Sequence, residues 1–247
     1  MKALLDHALL NIFCFLSVMT SLAETAPQEF VVDRFSNTVE SNQLPRGWKT
    51  LQFEKVPNHT HYTLEKEGND FFVKAVSQNS ASAIYKEVHL SPKDYPILSW
   101  RWKIENVLKK SDPTKKSGDD YPARVYVAFE YVPSHATFWE KTKYTLVKLT
   151  YGQFPPKAAL NYIWDSKLPI GKSLDNAYTD RTKMIVLESG EEKITQWVKE
   201  ERNIFEDYKK LFGSEPPPIS FIALMTDTDN TGESVIAYFD DIVLKRG

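Results

Sequence analysis

The sequence predicts a mainly β protein of the sandwich or barrel class, built as one domain and carrying one long amphipathic helix. Three observations predict it. Short runs of alternating apolar and polar residues recur between turn residues along most of the chain, the pattern of strands buried on one face. Aromatic residues reach 13%, a usage suited to β-rich cores and stacking surfaces. Helical periodicity is clearest in one segment, Glu191–Phe212. The length of 247 residues corresponds to ~1 to 2 domains. With 31 basic against 33 acidic residues the net charge is −2, so no global field draws in nucleic acid or an anionic membrane surface. Partners must be recognised by local chemistry.

The first segment reads as an export address. Lys2 precedes an apolar stretch from Ala8 to Val18, and Ser21-Leu22-Ala23 places small residues where a signal peptidase cuts. Residues 1–23 are expected to be a removed signal peptide, leaving 24–247 as a single periplasmic or secreted domain. The apolar stretch is far short of the ~20 residues of a spanning helix, and no later segment is apolar and long enough to span. Cys14, the one cysteine, lies inside this segment. The remaining chain therefore offers no disulfide, thiolate nucleophile or thiolate zinc ligand, and its stability rests on a hydrophobic core.

Between Glu29 and Val88, strands are expected at Phe30–Val32, Trp48–Phe53, His61–Leu64, Phe71–Val76 and Ala83–Val88, separated by Pro45-Arg46-Gly47, Pro57-Asn58 and Gly68-Asn69-Asp70. Ile97–Ile104 and Ala123–Tyr131 alternate most cleanly. Leu98, Trp100, Trp102 and Ile104 share one face of the first, Val125, Val127, Phe129 and Tyr131 one face of the second. A lysine-bearing loop, Val107–Pro122, joins them. The stretch from Ser134 to Tyr151 admits a helix stopped by Gly152 and Pro155-Pro156, or a strand. Leu160–Trp164 and Thr182–Glu188 read as strands. Glu191–Phe212 carries apolar residues at helical spacing, with Ser189 and Glu192 as a capping box and Gly213 as its stop. Pro216-Pro217-Pro218 leads into two last strands, Ile219–Thr226 and Val235–Leu244.

The polar faces of the central strands carry the functional expectation. If Ile97–Ile104 and Ala123–Tyr131 lie in one sheet with their apolar sides inward, Arg101, Lys103, Arg124, Tyr126 and Glu130 emerge together on the other side. Asn161 and Asp165 join them from the next strand, and Asp119 and Asp120 from the preceding loop. Such a face suits a groove for an acidic glycan, with Arg forks and amides on hydroxyls or carboxylates and an aromatic under a sugar ring. It equally suits a solvated surface whose ions pair across strands. An enzyme on polysaccharide stays open too. Tyr126 would be the base of a lyase, or two of Asp119, Asp120, Glu130 and Asp165 the acid and base of a glycosidase. A third alternative is an envelope scaffold that binds a protein partner. Gly-x-Ser-x-Gly, His-Glu-x-x-His and Gly-x-Gly-x-x-Gly are absent, which removes the commonest hydrolase, metalloprotease and dinucleotide signatures.

Asp227-Thr228-Asp229-Asn230-Thr231-Gly232 has oxygen side chains at alternate positions and a glycine at the turn, but Tyr238 stands where an EF-hand needs Glu. It reads as a hairpin turn that leaves calcium open through Asp227 and Asp229.

Ser99-Trp100-Arg101-Trp102-Lys103, Gly118-Asp119-Asp120-Tyr121-Pro122-Ala123-Arg124-Val125-Tyr126-Val127 and Met225-Thr226-Asp227-Thr228-Asp229-Asn230-Thr231-Gly232 together resemble the bacterial family labelled domain of unknown function 3047. That resemblance implies membership and no catalytic residue. Asp33-Arg34-Phe35 and Tyr238-Phe239-Asp240-Asp241-Ile242 are similar to the terminal strands of jelly-roll carbohydrate-binding modules. This second resemblance implies a structural calcium held by Asp33, Asp240 and Asp241, although Arg34 departs from the acidic residue often found there. The fold it implies is a two-sheet antiparallel β-sandwich with the Glu191–Phe212 helix packed on one side.

Overall fold

The computed structural model describes residues 27–35, 44–132 and 156–247. The expected signal segment and the helix-or-strand stretch from Ser134 to Tyr151 lie outside the described residues. Thirteen strands are described: β1 (Glu29–Asp33), β2 (Lys49–Gln52), β3 (His61–Glu67), β4 (Asp70–Gln78), β5 (Ala81–Leu90), β6 (Ile97–Ile104), β7 (Ala123–Phe129), β8 (Ala158–Asp165), β9 (Ser173–Asn176), β10 (Thr179–Ser189), β11 (Val198–Asn203), β12 (Ile219–Asp227) and β13 (Ser234–Lys245). One α-helix, α1 (Ile204–Phe212), stands between β11 and β12.

The strands form two sheets. The first has the order β11-β6-β13-β4-β3, with β1 also on β13; the second runs β2-β5-β12-β7-β8-β10-β9. All pairings are antiparallel except β8 with β10. β13 serves two neighbours along one edge, β4 through Ser234–Phe239 and β1 through Ile242–Lys245. A bulge between these halves, with Asp241 at φ 52°, turns the strand from one neighbour to the other.

Period-two alternation puts the core between the sheets. Trp100 and Trp102 of β6 face Tyr162 and Trp164 of β8, with ring centroids 5.3 Å and 5.9 Å apart. Such pairs add about 0.5–1.5 kcal/mol each beyond burial. Val125, Val127 and Phe129 of β7 and Ile222 and Leu224 of β12 complete the layer. β7 and β8 depart from the one-sided burial expected of them. Arg124 and every residue of β8 are also buried, because Tyr121, Leu168 and Leu174 pack over Ile163, Met184 and Val186 on the outer side.

The long helix is corrected. Val198–Asn203 instead forms β11 along the edge of β6, from Val198 opposite Trp102 to Asn203 opposite Ile97. Val198 is the one apolar residue of this segment, so apolar spacing sets no period within it, and pairing with the backbone of β6 makes it a strand. The helix starts where Asn203 Oδ1 accepts the Glu206 backbone N–H at 3.0 Å, in place of the expected Ser189 cap. Gly213 ends it as expected, left-handed at φ 71°. Ile204 and Tyr208, one turn apart, seat α1 in the core, and Tyr208 lies 4.6 Å from the Phe129 ring.

Candidate ligand-binding site

The outer face of the second sheet is a lattice that strand register sets. Arg124, Tyr126 and Ala128 of β7 point outward. Met225 stands opposite Arg124, Ala223 opposite Tyr126 and Phe221 opposite Ala128. On the other side of β7, Asn161 stands opposite Tyr126 and Ala159 opposite Ala128. Loops rise around this face and enclose a cavity of about 550 Å³. Its walls are Phe53, Lys55 and Val56 after β2, Asp119 before β7, Asn176 and Tyr178 at the β9–β10 turn, and Asp229 and Asn230 in the β12–β13 loop.

Side-chain acceptors shape both turns. Asn176 Oδ1 accepts the Tyr178 N–H at 3.0 Å, and its Nδ2 donates to Asp119 at 2.9 Å. Asp120 accepts the N–H of Asn230 and of Thr231, at 3.3 Å and 2.6 Å, and so folds the β12–β13 loop against the β7 loop.

Arg124 lies at the base of the cavity. Its Nη1 donates to Asp227 Oδ2 at 2.6 Å, and both side chains are only 3% exposed. Asn161, its amide oriented by these donors, accepts from Arg124 Nε at 3.2 Å and Nη2 at 3.0 Å and from the Tyr126 hydroxyl at 3.2 Å. The guanidinium also lies 4.6 Å from the Tyr121 ring and 5.2 Å from that of Tyr126. Burial works to lower its pKa, but Asp227 together with Tyr126, Asp119 and Tyr121 holds Arg124 above its ordinary value. Burial pushes the Asp227 carboxyl up against the pull of Arg124, with Asp120, Asp119 and Asp229 adding to the rise. Arg124 is thus a saturated cation, spent on one carboxylate. Burial also raises the Tyr126 phenol, with Arg124 opposing. The group stays a neutral phenol near pH 7, which argues against its service as a lyase base.

The cavity is carboxylate-rich. Asp119, Asp227 and Asp229 line it against two cations, Arg124 and Lys55. Ligand oxygens of Asp120, Asp227 and Asp229 lie within 4.8 Å of one another, the one such grouping among the described residues. An all-carboxylate set suits a hard divalent cation such as calcium. Burial, followed by the Asp120 charge, raises Asp229 above its usual range.

The expected groove is divided. Arg124, Tyr126, Asn161, Asp119 and Asp120 come together at this cavity with Asp227 and Asp229. Arg101 and Lys103 do not: β6 belongs to the first sheet, so they emerge on the opposite outer face. There Arg101 donates to Asp240 Oδ2 through Nε at 3.1 Å and Nη2 at 2.5 Å, and forms an ion pair with Asp241. Lys103 sits 4.3 Å from the Tyr238 ring. Asp33 takes Lys86 Nζ at 2.8 Å and Trp48 Nε1 at 2.9 Å. Asp33 thus faces Lys86, whereas Asp240 and Asp241 share Arg101. Asp165 caps its own turn, accepting from the Lys167 N–H at 2.6 Å. Sequence reasoning missed Asn176 and Tyr178. An Asn two residues before an aromatic marks a turn but carries no address on a distant strand.

Residues 46–243 match the family model described as protein of unknown function (DUF3047), and the chain belongs to that family. No curated protein matches the chain. Among solved structures, the family 11 carbohydrate-binding module of the cellulosomal cellulase Lic26A-Cel5E of Clostridium thermocellum is similar over 90% of this chain and 97% of that one, at 11% identity and a TM-score of 0.42. The native family 12 xyloglucanase from Bacillus licheniformis is similar over 89% of this chain and 100% of that one, at 8% identity and a TM-score of 0.45. The K3 cleaved adhesin domain of Lys-gingipain from Porphyromonas gingivalis is similar over 89% of this chain and 99% of that one, at 13% identity and a TM-score of 0.41.

Proposed function

We propose that this DUF3047 member is an exported protein that binds a hydroxyl-rich, uncharged saccharide in the cavity above Arg124. One observation carries the reading: the polar end presents Asp119, Asp229, Asn176 and Asn230 beside the ring of Tyr178, which is 56% exposed. Carboxylates and amide oxygens accept from sugar hydroxyls, amide nitrogens donate to them, and an exposed phenol ring supports the apolar face of a pyranose. Carboxylates outnumber cations along the wall and Arg124 already holds Asp227, so an acidic glycan is disfavoured relative to a neutral one.

Calorimetric titration of the purified protein with neutral, amino-sugar and uronic-acid oligosaccharides tests this. Neutral oligosaccharides are expected to bind, and Tyr178→Ala to weaken them about tenfold, the effect of ~1–1.5 kcal/mol of ring contact. Silence across all three classes removes the proposal; tighter binding of the uronic acids removes its uncharged part.

A further inference from the structure

The larger cavity continues into a second one of about 200 Å³. The two share Phe53, Tyr126, Thr182 and Met225 on their linings, so they are one hollow with two ends. The second end has a different chemistry. Its floor is made of alanines at successive outward positions of four neighbouring strands: Ala83, Ala223, Ala128 and Ala159. The register places Ala128 beside Ala159 and beside Phe221, and Ala83 beside Leu51 and Met225. Small residues along the middle, with Leu51, Phe53 and Phe221 standing taller at the sides, make a trough. Its polar groups are the Thr182 hydroxyl and the Tyr126 hydroxyl, the latter already donated to Asn161. Water in such a trough finds few partners, whereas a hydrocarbon chain would meet apolar carbon along its length.

We propose that the ligand is a single-chain amphiphile, with a hydroxylated head at the carboxylate end of the hollow and its hydrocarbon chain in the alanine-floored trough across β5, β12, β7 and β8. The proposal rests on the saccharide reading for its head and adds the substrate class. The occupant is set by continuity. The carboxylate and amide groups stand at one end, the apolar floor at the other, and Tyr126 forms the boundary with its hydroxyl turned to Asn161 and its ring lining both.

The test is a calorimetric series of alkyl glucosides from methyl to octyl, each below its micelle concentration, with octanol as the headless probe. Affinity is expected to rise about fourfold per added methylene until the trough is full, the increment of burying one CH₂. Ala159→Phe, which fills the trough and lies outside the larger cavity, is expected to abolish that slope while leaving methyl glucoside affinity unchanged. Should that variant not fold, Phe221→Ala removes one wall and is expected to reduce the slope. Methyl glucoside binding with no dependence on chain length overturns the amphiphile and leaves the saccharide reading intact. Octanol binding as tightly as octyl glucoside overturns the amphiphile through its head, and the saccharide reading falls with it.

Discussion

Arg101 and Arg124 occupy equivalent places in the chain's alternation, each an outward residue on a central strand between two inward apolar ones, yet they have opposite fates. Arg101 lies on the open face of the first sheet, where Asp240, Asp241 and Asp70 reach it and the Trp197 ring stacks 4.7 Å away. Its side chain keeps 24% of its exposure. Arg124 lies on the face that loops enclose, with Asp227 as its carboxylate partner and Asn161 and two phenol rings around it. The lesson is that an arginine's role follows from what rises around its strand. On the open face the cation stays part-exposed and only its partner Asp240 is buried, and on the walled face both charges are desolvated, a pair on which the neighbouring geometry depends.

The sharpest way to break this comparison is to remove each cation in turn. Arg124→Met leaves Asp227 buried and uncompensated and is expected to cost about 3–5 kcal/mol, measured by urea denaturation. Arg101→Met, which leaves Asp240 without its donor on a part-exposed face, is expected to cost less, about 1–3 kcal/mol. Equal losses would erase the distinction between the two faces. The double variant Arg124→Met/Asp227→Leu should regain much of the loss, because no lone charge is left inside.

A second, smaller effect concerns a charge without a close cation. Burial, and next the Glu188 charge, push Glu200 of β11 up to about 7, with the Trp102 indole, Lys193 and Arg202 opposing. The folded value lies above the unfolded one. Between about 4.5 and 7 the native state therefore holds a proton that the unfolded chain has released, and stability falls as pH rises through that window. Glu200→Gln is expected to stabilise the protein at pH 8 by about 1–2 kcal/mol, a figure reduced for solvent screening. At pH 4 it should change little. Denaturation midpoints at the two pH values check the difference, and a gain of equal size at both would assign it to packing.

The smallest expected effect is at the carboxylate cluster on the walled face. Millimolar calcium is expected to raise the melting temperature by about 2 °C through binding to the folded state alone. Asp229→Asn should remove that rise. No response to calcium in the parent protein would leave Asp120, Asp227 and Asp229 as loop-shaping groups.

Much of the architecture was legible because it depends on local alternation. Ile97–Ile104 is a strand from end to end, and the last two strands begin and end within a residue of expectation. The β11 segment was not, because Val198–Asn203 holds one apolar residue between helically spaced neighbours and only pairing with β6 makes it a strand. At the site, Arg124, Tyr126, Asn161 and Asp119 were legible as outward or loop-borne polar groups. Lys103 and Arg101 were grouped with them on an assumed sheet, and sheet membership cannot be read from spacing. Asn176 and Tyr178 reach the cavity from a turn more than fifty residues beyond Arg124.

By itself the sequence determined which side of strands such as β6 and β7 is apolar, where much of the chain turns, and that the stretch beyond Cys14, free of cysteine, must hold together through aromatic packing. These are near-neighbour properties, governed by side-chain period and backbone preference. The tertiary structure alone decided which strands share a sheet, which outer face is enclosed, and that Arg124 meets Asp227 across more than one hundred residues. Such pairings depend on backbone hydrogen bonds between distant strands, and any apolar strand of suitable period can supply them.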